Sequence, residues 1–371
     1  MTPGCGPATQ ATFAARVVLI LAPVLLFAAL LLPGLVRGEP YLAVRTGLKC
    51  VACHVNPTGG GKRTDFGAIY GQTALASAGA PWSGRLSDWL AIGANVRATE
   101  QRTTVPGAAQ TVALNQTQAR VYLEVKPFGD QFMLYVDQHV APTPATNREA
   151  YALAWFANQR AYVKAGRMFV PFGLRIEDDS AFIRQVSGAN FNSSDDGVEG
   201  GLEWGPWSAS VAATKPVTGS TIRPRQIGGI ANHVQPDWRF GASLSSHTGG
   251  AGIDRRMQSV FGGLRTGIVS WLAAAVYVTE RGTPIGQLTQ WASLMEGNVE
   301  FAKGHNLKLS LEHHDPNIDV REDHRERYSL VWEFVPFQFT QARLGVRKND
   351  GIPQNKAQNA REVFAQLHLF F

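Results

Sequence analysis

From Ser87 to the end of the chain, apolar and polar residues alternate with a period of two. The terminal stretch shows it most cleanly: Val363, Ala365, Leu367, Leu369 and Phe371 interleave with Glu362, Phe364, Gln366, His368 and Phe370. The same pattern runs through Leu90, Ile92, Ala94 and Val96, through Ala119, Val121, Leu123 and Val125, and through Leu307, Leu309 and Leu311. Successive side chains of a strand point to opposite faces, so each stretch predicts a strand with one face suited to lipid and the other to water. About sixteen such segments fit along the chain.

The connections between them alternate in length. Short turns are expected at Pro127 to Asp130, Asn158 to Gln159, Gly205 to Pro206, Gln235 to Asp237, Thr266 to Gly267, Ala302 to His305, and Val335 to Phe337. Longer links fall near 103–115, 141–148, 169–196, 216–224, 247–256, 280–288, 315–324 and 348–360. This alternation predicts a mainly β fold, a transmembrane antiparallel β-barrel of about 16 strands over residues 87–371, with tight periplasmic turns, larger outer loops and periplasmic termini. A soluble β-sandwich has no physical reason to sort loop length by end.

Near the start, one continuous apolar run from Val17 to Leu32 follows Arg16 and gives way to small residues up to Gly38. This is the pattern of a secretory signal peptide over residues 1–38. As a membrane anchor the run is short against a span of ~20 residues, and Pro23 interrupts it. Export to the outer membrane of a Gram-negative cell is the expectation.

Composition agrees. Only 17% of the 371 residues are charged, against roughly 25% in an average soluble domain, while mean hydropathy is just −0.10. Apolar and polar residues are therefore finely interleaved. The formal net charge of +6 is mild and dispersed, which excludes a nucleic-acid footprint as an expected partner surface.

Three cysteines occur, at positions 5, 50 and 53, and signal removal leaves Cys50 and Cys53 alone. They lie in Cys50-Val51-Ala52-Cys53-His54, the C-x-x-C-H signature of covalent c-type haem attachment. One helical turn sets both sulfurs along one porphyrin edge, and His54 becomes the proximal iron ligand. Structural zinc needs four protein ligands, and the segment from Glu39 to Trp82 holds one histidine and two cysteines. A plain disulfide is the remaining alternative. Pro57 and Gly59-Gly60-Gly61 break the helix just after the motif, and a weak helical stripe of Phe66, Ile69, Tyr70 and Thr73 follows. Residues 39–86 thus read as a small monohaem cytochrome c segment, short of apolar residues for a core of its own, and suited to plug the barrel.

Here the chain resembles outer-membrane proteins in which a monohaem C-x-x-C-H segment is fused to a porin barrel, best described among the iron oxidases of Fe(II)-oxidising bacteria. The matching residues are Thr46-Gly47 before the motif, Arg63, Phe66-Gly67 and Tyr70 after it, and terminal Phe371. Tyr162-Val163-Lys164-Ala165-Gly166-Arg167 with Pro171-Phe172-Gly173-Leu174-Arg175 resembles a hairpin of phosphate-selective-type porins. Asn56-Pro57-Thr58 and the triple glycine depart from the iron-oxidase pattern.

Two functions follow as expectations. One is an electron conduit, in which one covalent haem c passes single electrons between an extracellular donor or acceptor, Fe(II) among them, and a periplasmic cytochrome or other carrier. The other is an anion-selective porin whose haem segment is a plug, sensor or staple, with Arg97, Arg120, Arg160, Arg167, Arg175 and Arg184 lining the pore. Residues 39–86 contain no second His or Met. The distal ligand is then five-coordinate iron's open position, Lys49, Lys62 or Asn56, or a luminal barrel residue, with Met133, His139, Met168, His314 and His368 the candidates. Glu177, Asp178, Asp179, Asp195 and Asp196 are expected in an outer loop, where they either attract a divalent ion or are merely solvated. His313, His314, Asp315 and Asp319 form a second such cluster.

Overall fold

A computed structural model describes residues 40–77, 84–142, 144–189, 194–216, 225–248 and 253–370. The expected signal peptide, Cys5 and Phe371 lie outside the described residues. The chain forms β1 (Leu90–Thr104), β2 (Thr111–Val125), β3 (Pro127–Asp130), β4 (Phe132–Ala141), β5 (Thr146–Phe156), β6 (Ala161–Met168), β7 (Asp195–Trp204), β8 (Trp207–Pro216) and β9 (Arg225–Val234). It continues through β10 (Trp238–Thr248), β11 (Asp254–Thr266), β12 (Val269–Thr283), β13 (Gly286–Ala302), β14 (His305–Asp315), β15 (Arg325–Phe334), β16 (Thr340–Asp350) and β17 (Arg361–Phe370). All but β3 close into one antiparallel barrel of sixteen strands, sealed where β1 meets β17 between Asn95↔Phe370 and Thr104↔Arg361. Closure leaves no strand edge unpaired, the condition for a sheet to cross a lipid bilayer.

Alternation decides which face each residue takes. Val163, Leu202, Val211, Leu244, Val260, Leu309, Leu330 and Val363 are exposed on the outside, while Glu199, Ser243, Lys308, Glu312, Arg343 and His368 are buried inside. Exposed Trp89, Phe156, Trp204, Trp207, Trp238 and Phe301 gather at the end with the tight turns, as an interfacial aromatic girdle requires. The first and last strands begin and end there too, so both barrel termini share that rim.

Two connections differ from expectation. The link near 280–288 is a tight turn at Pro284–Ile285, because β12 and β13 extend as a long hairpin with a bulge after Arg281. The long connection after β6 does not project outward. It turns into the lumen, where a short helix (Phe182–Ser187) lies against β12, β13 and β14. Ile176, Ile183 and Val186 pack there on Leu272, Val276 and Leu294, so burial of the loop's apolar face drives it inward.

Residues 40–77 occupy the lumen near the tight-turn rim. They form α1 (Pro40–Thr46), α2 (Cys50–Cys53), α3 (Asp65–Tyr70) and a π-helical turn (Gly71–Leu75); the loop helix Phe182–Ser187 is α4. Pro40 supplies the fixed φ and missing N–H that suit a helix start. Tyr41, Leu42 and Val44 are buried. Phe66, first in the expected helical stripe, is 48% exposed and stacks on Tyr70.

Candidate functional site in the lumen

The C-x-x-C-H motif occupies a single helical turn. Chain reversal follows at once: His54 N–H donates to the Cys50 carbonyl at 2.9 Å, and Val55 and Lys62 pair across the loop at 3.0 Å. Gly61 has φ +67°, and a Cβ there would lie 2.5 Å from the Tyr135 hydroxyl. Glycine therefore permits both the left-handed backbone and the close approach to the wall. On the return, Thr64 Oγ1 accepts from Gly67 N–H at 3.1 Å and caps α3. The Thr64 hydroxyl also donates to the Ala52 carbonyl at 2.7 Å, tying α3 to α2.

Ties to the barrel wall run around the lumen. Lys62 N–H donates to Tyr135 Oη at 3.0 Å, and its Nζ pairs with Glu124 at 2.7 Å. Asn56 donates to Glu149 at 3.3 Å, and Lys49 Nζ to Glu203 at 2.6 Å. Arg45 pairs with Glu300, and Ser77 N–H bonds the Val335 carbonyl at 3.1 Å. Lys49, Lys62 and Asn56 are thus committed to anchoring.

Between this plug and the wall lies a cavity enclosing about 1590 Å³ of free space, its open mouth included. Cys50, Cys53 and His54 line one side; Arg97, Arg120, Tyr122, Arg148, Tyr162, Arg175 and Arg239 line the others. Cys50 and Cys53 are not bonded to each other, and burial pushes the Cys53 thiol up. Burial first, then Arg63, lowers His54 to about 3, so its ring is neutral. Carbonyl groups of Gly61 and Gly60 lie against the ring, while Nδ1 is buried with no hydrogen-bond partner. A neutral imidazole set against backbone carbonyls is the form that metal ligation uses. Two unbonded cysteines and a neutral histidine with an orphaned ring nitrogen, lining one cavity, fit a covalently anchored porphyrin.

None of the five distal candidates lines this cavity. Met133 and Met168 are buried in an aromatic cluster with Tyr135 and Tyr151. His139 is half-buried on β4, beyond a bulge after Asp137. His314 Nδ1 is paired with Arg325 at 3.0 Å. His368 is fully buried and stacks on Phe370. Among the described residues lining the cavity, His54 is the only histidine, and no methionine joins it.

Four of the five acidic residues are in ion pairs. Asp178 binds Arg347 at 2.5 Å and Arg327 at 3.5 Å, Asp179 binds Arg184 at 2.5 Å, and Glu177 binds Arg97. Although burial works against it, Arg347 and Arg327 hold the Asp178 carboxyl well below the usual range. Asp195 accepts from Thr214 at 2.9 Å on β8, and Asp196 pairs with Arg167 at 3.1 Å. His313 pairs with Glu326 at 2.6 Å. Among the described residues no group of three or more His, Cys, Asp and Glu side chains is arranged to hold a metal ion.

Of the six arginines expected in the pore, Arg97, Arg120 and Arg175 line the cavity; Arg184 is buried within the helix of the inward loop; Arg167 is half-buried and paired with Asp196; Arg160 is exposed at a rim turn. Arg148 and Arg239 were missed, although the strand alternation that marks Arg120 as inward also covers Arg239. The Arg97–Glu177 pair stands between this cavity and a second space of about 1170 Å³ towards the long-loop end, since both residues line both.

No model of a known protein family matches the chain, and no curated protein matches it. Solved structures do. The anion-selective porin from Comamonas acidovorans is 11% identical with a TM-score of 0.60, over 76% of this chain and 99% of that one. Outer-membrane expressed OmpT of Vibrio cholerae is 12% identical with a TM-score of 0.58, over 77% and 99%. The outer membrane channel DcaP of Acinetobacter baumannii is 12% identical with a TM-score of 0.55, over 76% and 97%. At these identities the likeness is one of fold: the chain has the barrel of outer-membrane porins.

Proposed function

We propose that the chain is an outer-membrane electron conduit carrying one covalent haem c inside a porin-type barrel. Cys50 and Cys53 would hold it through thioether bonds, and His54 would ligate its iron. What supports this reading above all is that Cys50, Cys53 and His54 together line one cavity walled jointly by plug and barrel. Bound there, the haem supplies one-electron chemistry at a potential set by ligation and burial. The chain's residues do the rest. The glycine turn presents His54, the Lys62, Asn56 and Lys49 anchors fix the plug, and the inward loop with Arg97–Glu177 restricts water from the long-loop side. A single haem is short against the ~25 Å apolar band, so an extracellular partner and a periplasmic carrier must each approach the protein.

A second reading is an anion-favouring porin in which the segment is plug, sensor or staple. It is favoured by the arginine-rich cavity and by the porins among the similar folds, one of them titled anion-selective. A pyridine haemochrome spectrum of the purified protein beside Cys50→Ala decides the first. A c-type spectrum in the wild type, altered or lost in the variant, is expected; a colourless wild type would overturn it.

A further inference from the structure

Three of the cations around the cavity are answered by a carboxylate, and Arg175 donates to the Gly59 and Val170 carbonyls. Lys49 meets Glu203, Arg97 meets Glu177, and Arg148 meets Asp137 at 2.5 Å. Arg120 and Arg239 are not. Arg120, 5% exposed on β2, donates from Nη2 to the neutral Gln118 at 2.6 Å, and its Nε is buried without a partner. Arg239, 7% exposed on β10, has no hydrogen bond or ion pair with a described residue, and its Nε is likewise orphaned. A guanidinium does not give up its proton in a protein. An uncompensated buried charge is strongly destabilising, so two of them on one cavity mark places completed by anions from outside the chain.

We propose that Arg120 and Arg239 are carboxylate-binding residues, each donating to a carboxylate that the protein does not supply. Around the closed sheet β2 and β10 are separated by seven steps of the sixteen, so the two guanidiniums reach in from nearly opposite walls and form separate subsites. Planar forked donors suit a carboxylate better than a point charge does. The carboxylates have two sources. One is the propionate edge of a haem on Cys50 and Cys53, and that source rests on the function proposed above. The other is a small organic acid admitted through the lumen, which does not. Both propionates leave one edge of the ring, so the haem source employs one of the two arginines, and a free acid employs either.

The test uses the purified full-length protein, with succinate as probe, in the wild type, Arg120→Gln, Arg239→Gln and the corresponding Lys variants. Each is made with and without Cys50→Ala/Cys53→Ala. Succinate affinity is measured by calorimetric titration, and the reduction potential of haem-loaded protein by spectroelectrochemistry. In the cysteine-free background succinate binds, and each Gln variant weakens it about tenfold or more, as expected for losing a charge-assisted bond, with partial recovery in the Lys variant. If a propionate is the natural ligand, one Gln variant also lowers the reduction potential of the loaded protein, and Lys restores it. If a free acid is the ligand, loaded wild type binds succinate too and the potential is unmoved. Succinate affinity unchanged by either Gln variant, together with an unmoved potential, would overturn the proposal. A negative haemochrome spectrum removes the haem source alone, and the titration still decides the arginines.

Discussion

At the scale of single residues, the site depends on how closely α3 is laid on the cysteine turn. A Cβ on Gly67 would lie 2.3 Å from the Cys53 carbonyl oxygen and 2.9 Å from its Cα, both backbone atoms of the motif itself. Gly67→Ala must therefore push α3 off α2, at a cost of about 1–3 kcal/mol for overpacking. Haem content per barrel, read from the haemochrome spectrum against total protein, is expected to fall in this variant and to stay normal in Ala68→Gly. The motif residues were legible because C-x-x-C-H is a chemical spacing. The anchors Tyr135, Glu124 and Glu149 were not, since nothing in a strand's alternation says which inward residue meets a plug. The five distal candidates show the same limit. Parity placed Met133 and His368 inside, but depth along the barrel and position around it are set by strand register, which a single sequence does not display.

Among the elements, the β6–β7 connection was the hardest to read. Its length and its run of acids suggested an outer loop, yet Ile176, Ile183 and Val186 bury against the far wall and the acids find arginines on β1, β15 and β16. Length alone does not encode direction; the loop's apolar residues were the available signal. Asp178→Asn removes the hub of that docking, and trypsin is expected to cut at Arg184 in the variant while sparing the wild type. The pH dependence has a definite sign. Because the folded Asp178 titrates below its unfolded value near 3.9, its contribution is complete above about pH 4 and declines as pH falls further. The α4 amides should lose hydrogen-exchange protection, measured against their intrinsic rates at each pH, below that point in the wild type, and that loss should be absent in Asp178→Asn. Most strands were legible because lipid outside and a polar lumen inside impose the period of two, but β4 and β5 also turn Met133, Tyr135, Tyr151 and Leu153 inward. A further exception is β12–β13, where the hairpin ran on past the expected link.

The whole molecule is a cylinder obstructed twice, by the plug at one end and by the inward loop at mid-depth. Deleting residues 40–77 removes the first obstruction and leaves Arg97, Arg120, Arg148 and Arg239 on the wall. Single-channel conductance in planar bilayers is expected to rise severalfold with a preference for anions, and equal conductance before and after deletion would mean that the plug does not obstruct flow. The anchoring of the segment along one quarter of the wall also bears on how the protein is made. Lys62, Asn56 and Lys49 grip strands β2, β5 and β7, and with the sheet sealed at β1 and β17 the two sulfurs sit behind them. An enzyme large enough to modify those thiols has no room to work once the seam is shut. Enzymatic attachment of the proposed haem would therefore have to precede closure of the barrel, decoration first and sealing second.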